Sequence, residues 1–384
     1  MVYLLLVALV LGVVAPSQAV THADLLLPAQ QTMELIYNME FGAALQAAQG
    51  LIDQAPTHPA GYFYRAATYW QWRTLARDPQ QQAALLQDFA AVSRRAIEVA
   101  ERLPATQAAE AAFYLGGMHG VRARMYFVQK EYGQALQAAK QGGSYLQQCV
   151  AQDPTWYDAY VGLGTYHYVL SRVPGLWRGI VQQLIGVRGD REQGLRELVL
   201  ARTQGPLSGP EATSILAKIY TLPDEQRYEE AAVLLEELVQ RYPKNFDYRY
   251  RLAYLATLMG RWQHGQQLIQ GLITAIEQGH PYYPRQWLPT LRYRVAETSV
   301  LQGNHQTAAT ILTTLQQQDV DTALHTWVLL RLGNVHDLRG EHQAAQALYS
   351  QVRDDTLARQ LARRYHAHPF KPGRAKLKKP EETI

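Results

Sequence analysis

The chain has 384 residues, 47% apolar, 18% charged and 10% aromatic, with 24 tyrosines. This composition excludes a disordered or collagen-like chain, and the lone Cys149 excludes an internal disulfide framework and any cysteine-based zinc cluster. Of the net charge of +4, a surplus of three comes from Lys371, Arg374, Lys376, Lys378 and Lys379 against Glu381 and Glu382. The body is therefore close to neutral and lacks the basic stripe expected of a nucleic-acid binder, so no nucleic acid is expected among its partners.

Residues 2–15 read VYLLLVALVLGVVA, an uncharged apolar run followed by Pro16 and Ser17-Gln18-Ala19. Such a core before small residues is the pattern of a secretory leader, with cleavage expected after Ala19 and, as second choice, after Ala23. The run is short for a membrane span, which needs about 20 residues. No cysteine follows it to carry a lipid. The expectation is export to the periplasm or cell envelope; the alternatives are an uncleaved anchor on residues 2–15 or a buried first helix. Membrane contact is left open for the N-terminus and the basic tail, residues 369–384, which is expected to be disordered.

From residue 24 onward apolar residues recur at three and four, the helical period, and no stretch alternates as a strand would. Phe41-Gly-Ala-Ala44 opens a helix that closes at Ala55-Pro56. A helix around Tyr62–Ala76 ends at Asp78-Pro79, and a longer one runs to Leu103-Pro104. Tyr132-Gly-Gln-Ala135 opens the next such helix. Tyr228, Ala231, Leu235 and Leu238 share one face before Pro243 stops the helix. The design returns at Gly260, Trp262 and Gly265, at Gly303, His305 and Ala308, and at Gly340, His342 and Ala345. Steps of 34, 43 and 37 residues separate positions 228, 262, 305 and 342.

A period near 34 built of helix–turn–helix units is the tetratricopeptide signature. The glycine closes the first helix in a left-handed turn, the large residue plugs the gap between the two helices, and the small one lets their backbones approach. Gly333 and Gly164 mark the matching place in the preceding helices. The expected fold is all-α: a right-handed α-solenoid of stacked tetratricopeptide-type helix pairs over residues 24–368. Seven or eight pairs fit between 24 and 355, with a last helix near 356–366. No pair buries its apolar face alone, so stability sums over neighbours.

Residues 171–189 break the period. Leu176, Trp177, Ile180, Val181, Leu184 and Ile185 form an apolar stripe, expected to pack into the groove of the solenoid. Asp190 and Gln193 form a capping-box pattern, and Gly189 permits the turn into it. The runs GTYHYVLSRVP, IGVRGDREQGLREL and GPEATSILAKIY resemble the tetratricopeptide repeat protein 39 / inclusion-body-clearance family. The matching residues are Ser171, Pro174, Gly186, Gly189, Asp190, Gly194 and Leu195, and the likeness covers about residues 105–345. It implies an interaction scaffold without a catalytic site.

Twelve histidines raise a metal site, but none pair at i, i+4 and there is no HExxH; His305, His336 and His342 follow the repeat, so no metal is expected. No GxSxG, P-loop or Gly-rich phosphate cradle occurs, and carboxylate pairs such as Glu229/Glu230 lie on a polar helix face. No enzyme and no cofactor is expected; the remaining alternative is an enzyme with an unrecognised all-α site. The expected function is recognition of a protein or peptide on the concave side, which the first helices line in this repeat class. The candidates are Tyr62, Arg65, Tyr69, Tyr160, Tyr248, Arg249, Arg251, Arg292 and Arg294, because Tyr and Arg dominate binding hot spots.

Overall fold

The computed structural model describes residues 20–371, apart from 176–178, 180–182 and 184–187. The leader, the stripe at 176–185 and most of the basic tail lie outside the described residues. Within them the fold is an all-α repeat solenoid of seventeen α-helices and two 3-10 turns, with no strand. Eight pairs follow one another: α1 (His22–Tyr37) with α2 (Phe41–Gln54), α3 (Ala60–Leu75) with α4 (Pro79–Ala100), α5 (Ala108–Val128) with α6 (Tyr132–Gln152), and α7 (Ala159–Ser171) with α8 (Arg191–Gln204). Then come α9 (Gly209–Tyr220) with α10 (Tyr228–Arg241), α11 (Phe246–Leu258) with α12 (Trp262–Glu277), α13 (Leu288–Leu301) with α14 (His305–Gln316), and α15 (Thr322–Leu338) with α16 (His342–Tyr349). A last helix, α17 (Thr356–Ala367), caps the stack by burying Ala358 and Ala362.

The turn inside a pair has one recurring geometry. Gly260, Gly303 and Gly340 adopt φ of 75°, 79° and 79°, each two residues before the second helix. The next amide then reaches back five residues, as in Arg261 N to Ala256 O at 2.8 Å and Glu341 N to His336 O at 2.9 Å. This is the Schellman closure, which needs a left-handed residue. Met39, Lys130 and Gln226 hold the same place with φ of 61°, 63° and 48°, so three pairs bear the strain of a Cβ there. The pairs at 60–100 and 159–204 are closed otherwise, the first by Asp78 capping α4 at Pro79.

Small residues set the helix spacing. Ala231, Ala308 and Ala345 are fully buried, and a Cβ on Gly265 would stand 2.9 Å from Ala253 O. A Cβ on Gly164 would lie 2.7 Å from Gly194 O, and one on Gly194 2.7 Å from Gly164 O, so α7 and α8 touch through bare backbone. Tyr228, Trp262, His305 and His342 are half-buried beside these contacts. Gly333 fits because the Tyr349 ring occupies the space of its missing Cβ.

The 171–189 insertion leaves and returns at one point. Ser171 Oγ bonds Tyr168 O at 2.6 Å, and a Cβ on Gly189 would collide with the backbone of Leu170 and Ser171. Gly189 therefore serves close approach; its φ is outside the left-handed region, which corrects the expected turn role. Pro174 sits exposed just past the helix end. Asp190 caps α8 through Gln193 N at 2.9 Å, but Gln193 Nε2 turns to Glu197 and leaves the reciprocal half of the box unmade. Leu195 is buried behind it. At the other end Phe370 is buried and its amide bonds Asp337 Oδ2 at 2.7 Å, so the solenoid extends past residue 368 into the expected tail.

The largest departure from a simple stack is a seam between distant repeats. Asn245 Nδ2 donates to Tyr37 O at 2.7 Å, Tyr37 OH to Leu207 O at 3.2 Å, and Arg241 and Lys244 pair with Glu34 and Glu40 at 2.5 and 2.9 Å. Met39, Phe41 and Leu75 join the core of Phe246, Tyr250, Ile273 and Leu291. Trp287 Nε1 donates to Leu75 O, and the Arg77 guanidinium lies 3.7 Å over the Trp287 ring. The first three helices thus close against α9–α13, about 200 residues away.

Two substitutions test the turn assignment in opposite directions. Lys130→Gly removes a strained Cβ and is expected to stabilise by about 1 kcal/mol, whereas Gly303→Ala costs about the same. Urea melts of both variants check the pair.

Candidate partner-binding surface

Two of the candidate tyrosines spend their hydroxyls on the backbone. Tyr62 OH donates to Pro56 O and Tyr160 OH to Pro154 O, both at 3.2 Å. In each case a proline ends the previous second helix and the tyrosine six residues on ties down the turn. The shared spacing Pro-Thr-x-x-x-x-Tyr is the sequence signal for this role. Arg65, on α3 with Tyr62, bonds Gln49 Oε1 and lies 6.0 Å from the Tyr69 ring.

The candidates on α11 and α13 meet their own chain. Tyr248 is 5% exposed in a cluster with Tyr37, Leu238 and Tyr242. That corrects its expected place on an open groove: α1 crosses there and covers it. Arg249 Nη1 donates to Tyr283 OH at 3.1 Å. Arg251 donates to Ser214 Oγ and to Ser214 O, both at 2.8 Å, and pairs with Asp247. Arg292 pairs with Glu277 at 3.0 Å. Arg294 pairs with Glu297 at 2.9 Å, donates to Tyr250 OH at 3.3 Å and sits over the Tyr254 ring.

Arg251, Arg294 and a third arginine that the sequence did not single out, Arg331, form one system. Each reaches back from a first helix to the first helix before it: Arg251 to α9, Arg294 to α11, and Arg331 to Glu297 on α13 at 2.9 Å. Arg331 continues to Asn334 Oδ1 at 3.1 Å, Asn334 to Tyr349 OH at 3.0 Å, and Tyr349 to Asp337 Oδ2 at 2.7 Å. Burial works against the charged Glu297 carboxylate, but the Arg331 and Arg294 guanidiniums outweigh it and hold its pKa below the ordinary value. The signal in the sequence was the separation of partners: 34 residues from Glu297 to Arg331 and 37 from Ser214 to Arg251, one repeat apiece.

Reactive groups are held quiet. Burial, helped by Asp153, pushes the Cys149 thiol up to about 12. Burial, with Arg122 beside it, drops His119 to about 4. His58 and His167 are each tied to one glutamate, Glu110 and Glu197, at 2.6 Å. Among the described residues no three metal-ligating side chains converge.

The fold and these inter-repeat ties define a helical-repeat solenoid. The sequence model of the tetratricopeptide repeat matches residues 224–283, the stretch that holds α10, α11 and α12. It does not reach the 171–195 block that carries the narrower resemblance. No curated protein matches the sequence. Among solved structures, PilF of Pseudomonas aeruginosa is 14% identical, covering 68% of this chain and 98% of its own, with a TM-score of 0.42. The C-terminal part of a TPR repeat-containing protein from Cytophaga hutchinsonii is 15% identical, covering 77% and 97%, at 0.37. A human IFIT1 dimer with m7Gppp-AAAA is 12% identical, covering 91% and 88%, at 0.43.

Arg331→Met leaves Glu297 buried with one cation and is expected to cost about 3–5 kcal/mol in urea unfolding. A second expectation concerns pH. The folded state keeps His119 neutral down to about pH 4, while an unfolded histidine takes its proton near 6.5. The unfolded chain therefore binds more protons between these values, and stability falls as pH drops through that window. His119→Gln flattens that part of the melting-temperature profile.

Proposed function

We propose that this protein is a non-catalytic scaffold that binds a protein or peptide partner, and that it is exported to the cell envelope. The stacked helix pairs carry the reading, together with the tetratricopeptide match at 224–283: such a stack offers long continuous surfaces and holds its reactive groups in internal ties. The body's near-neutral charge favours protein over nucleic acid. The finer likeness to the tetratricopeptide repeat protein 39 / inclusion-body-clearance family agrees with a scaffold role.

The contacts of the first described residues are compatible with cleavage after Ala19. Asp24 Oδ2 accepts from Thr21 N at 2.9 Å and from Thr21 Oγ1 at 2.8 Å, which braces the start of α1. Gln107 Nε2 holds Val20 O at 3.1 Å, and the His22 ring packs 4.9 Å from that of Trp156. Cleavage after Ala19 spares all of these contacts, whereas cleavage after Ala23 removes that brace. Among the described residues no helix is long and apolar enough to cross a membrane.

N-terminal sequencing of protein from the envelope fraction is expected to begin at Val20; an intact Met1 supports the membrane-anchored adaptor instead. Crosslinking in the same fraction is expected to capture a protein partner reproducibly, and crosslinks to nucleic acid alone overturn the scaffold reading.

A further inference from the structure

On α3 the residues Tyr62, Arg65, Tyr69 and Arg73 follow at steps of three, four and four, which places them on one helix face. Their contacts show which way that face looks. Arg65 reaches Gln49 on α2, the Arg95 guanidinium of α4 lies 5.7 Å from the Tyr62 ring, and Trp72 stacks on Phe41 of α2 at 5.6 Å. The stripe therefore opens between α2 and α4, the second helices of their pairs, away from the inner side stitched by arginines.

The charges here differ from those of the inner side. Arg251, Arg292, Arg294 and Arg331 each meet a carboxylate, while Arg249 meets the Tyr283 hydroxyl. Arg65 meets only the neutral Gln49, and Arg73 has no acceptor among the described residues, lying 5.6 Å from the Trp70 ring. The Nε of each is buried without a partner. Burial lowers the pKa of Arg73, and no counter-charge offsets it. Glu98 on α4 pairs with Arg95, and Asp53 on α2 accepts from Gln49. A half-buried cation whose Nε lacks a partner is costly, and a bound carboxylate removes the cost by a charge-assisted hydrogen bond.

We propose that this outer groove between α2 and α4 docks an extended acidic segment of a protein partner, with Arg65 and Arg73 receiving two of its carboxylates and the Tyr62 and Tyr69 rings flooring it. Eight helical residues set the Cα atoms of Arg65 and Arg73 about 12 Å apart along the axis. An extended chain covers that span in about four residues, so the matching pattern is two acidic residues four apart. This proposal rests on the scaffold reading and assigns it a surface and a partner chemistry.

The test is fluorescence anisotropy on the full chain. The probe is a labelled serine- and threonine-rich peptide with two glutamates four residues apart; a glutamine counterpart and a labelled oligothymidylate are the comparisons. The glutamate peptide is expected to bind, the glutamine peptide at least tenfold more weakly, and Arg65→Gln with Arg73→Gln to weaken binding tenfold or more. Arg359→Gln, on α17, leaves binding unchanged. Arg73→Gln alone is expected to keep or raise the melting temperature, which separates lost binding from lost folding. Equal binding by the double variant, preference for the oligonucleotide, or no binding of the glutamate peptide overturns the docking site. Crosslinks to a protein partner that map elsewhere on the stack overturn it too, yet leave the scaffold reading standing.

Discussion

The structure depends on a helix pair being unable to shelter its own apolar face. Each pair is stable only because the next one covers it, and coverage requires backbones to come close. The small residues at 164, 194, 231, 265, 308 and 345 are where that approach happens, either as bare glycine or as fully buried alanine. Stability in such a stack is a sum of neighbour terms, so a defect at one interface is felt first by its two flanking pairs.

Polar chemistry follows the same rule. The buried arginines of the first helices point one repeat backwards, and their partners lie about one period away in sequence. A guanidinium can satisfy a carboxylate, a hydroxyl and a carbonyl in one fork, which suits a junction where several helices meet. At the C-terminal end the chain of Arg294, Glu297, Arg331, Asn334, Tyr349 and Asp337 runs through two pairs and reaches the Phe370 amide. Groups chosen for recognition by their type are largely consumed in holding the stack together. The α3 stripe stands apart because its two guanidiniums each keep a buried Nε without a partner and meet no carboxylate.

The seam is of another kind. Residues 30–41 and 72–77 meet 206–287 through exposed ion pairs, a few hydrogen bonds between side chains and backbone, an aromatic cluster of Phe41, Trp72 and Tyr282, and Arg77 over Trp287. Curvature accumulated over many pairs brings these segments together, and α1 then lies where an open inner surface was expected. Tyr248 shows the consequence: its residue type suits an interface, and the interface it serves is internal.

The local design was legible in the sequence because it is written in short spacings. The periods of three and four gave the helices, the glycines at 260, 303 and 340 gave the turns, and the recurring aromatic and small residues gave the pairing. Asp190 announced the start of α8 for the same reason, since a cap acts over three residues. Met39, Lys130 and Gln226 were not legible as turn residues, because nothing in their side chains advertises a left-handed backbone that the flanking helices impose. The face toward which Tyr62, Arg65 and Tyr69 look, the partners of Arg294 and Glu297, and the closing of the first helices onto α9–α13 were decided by the tertiary structure alone. They depend on the summed rotation of successive pairs, a quantity set by packing between residues 30 to 200 positions apart and carried by no local pattern.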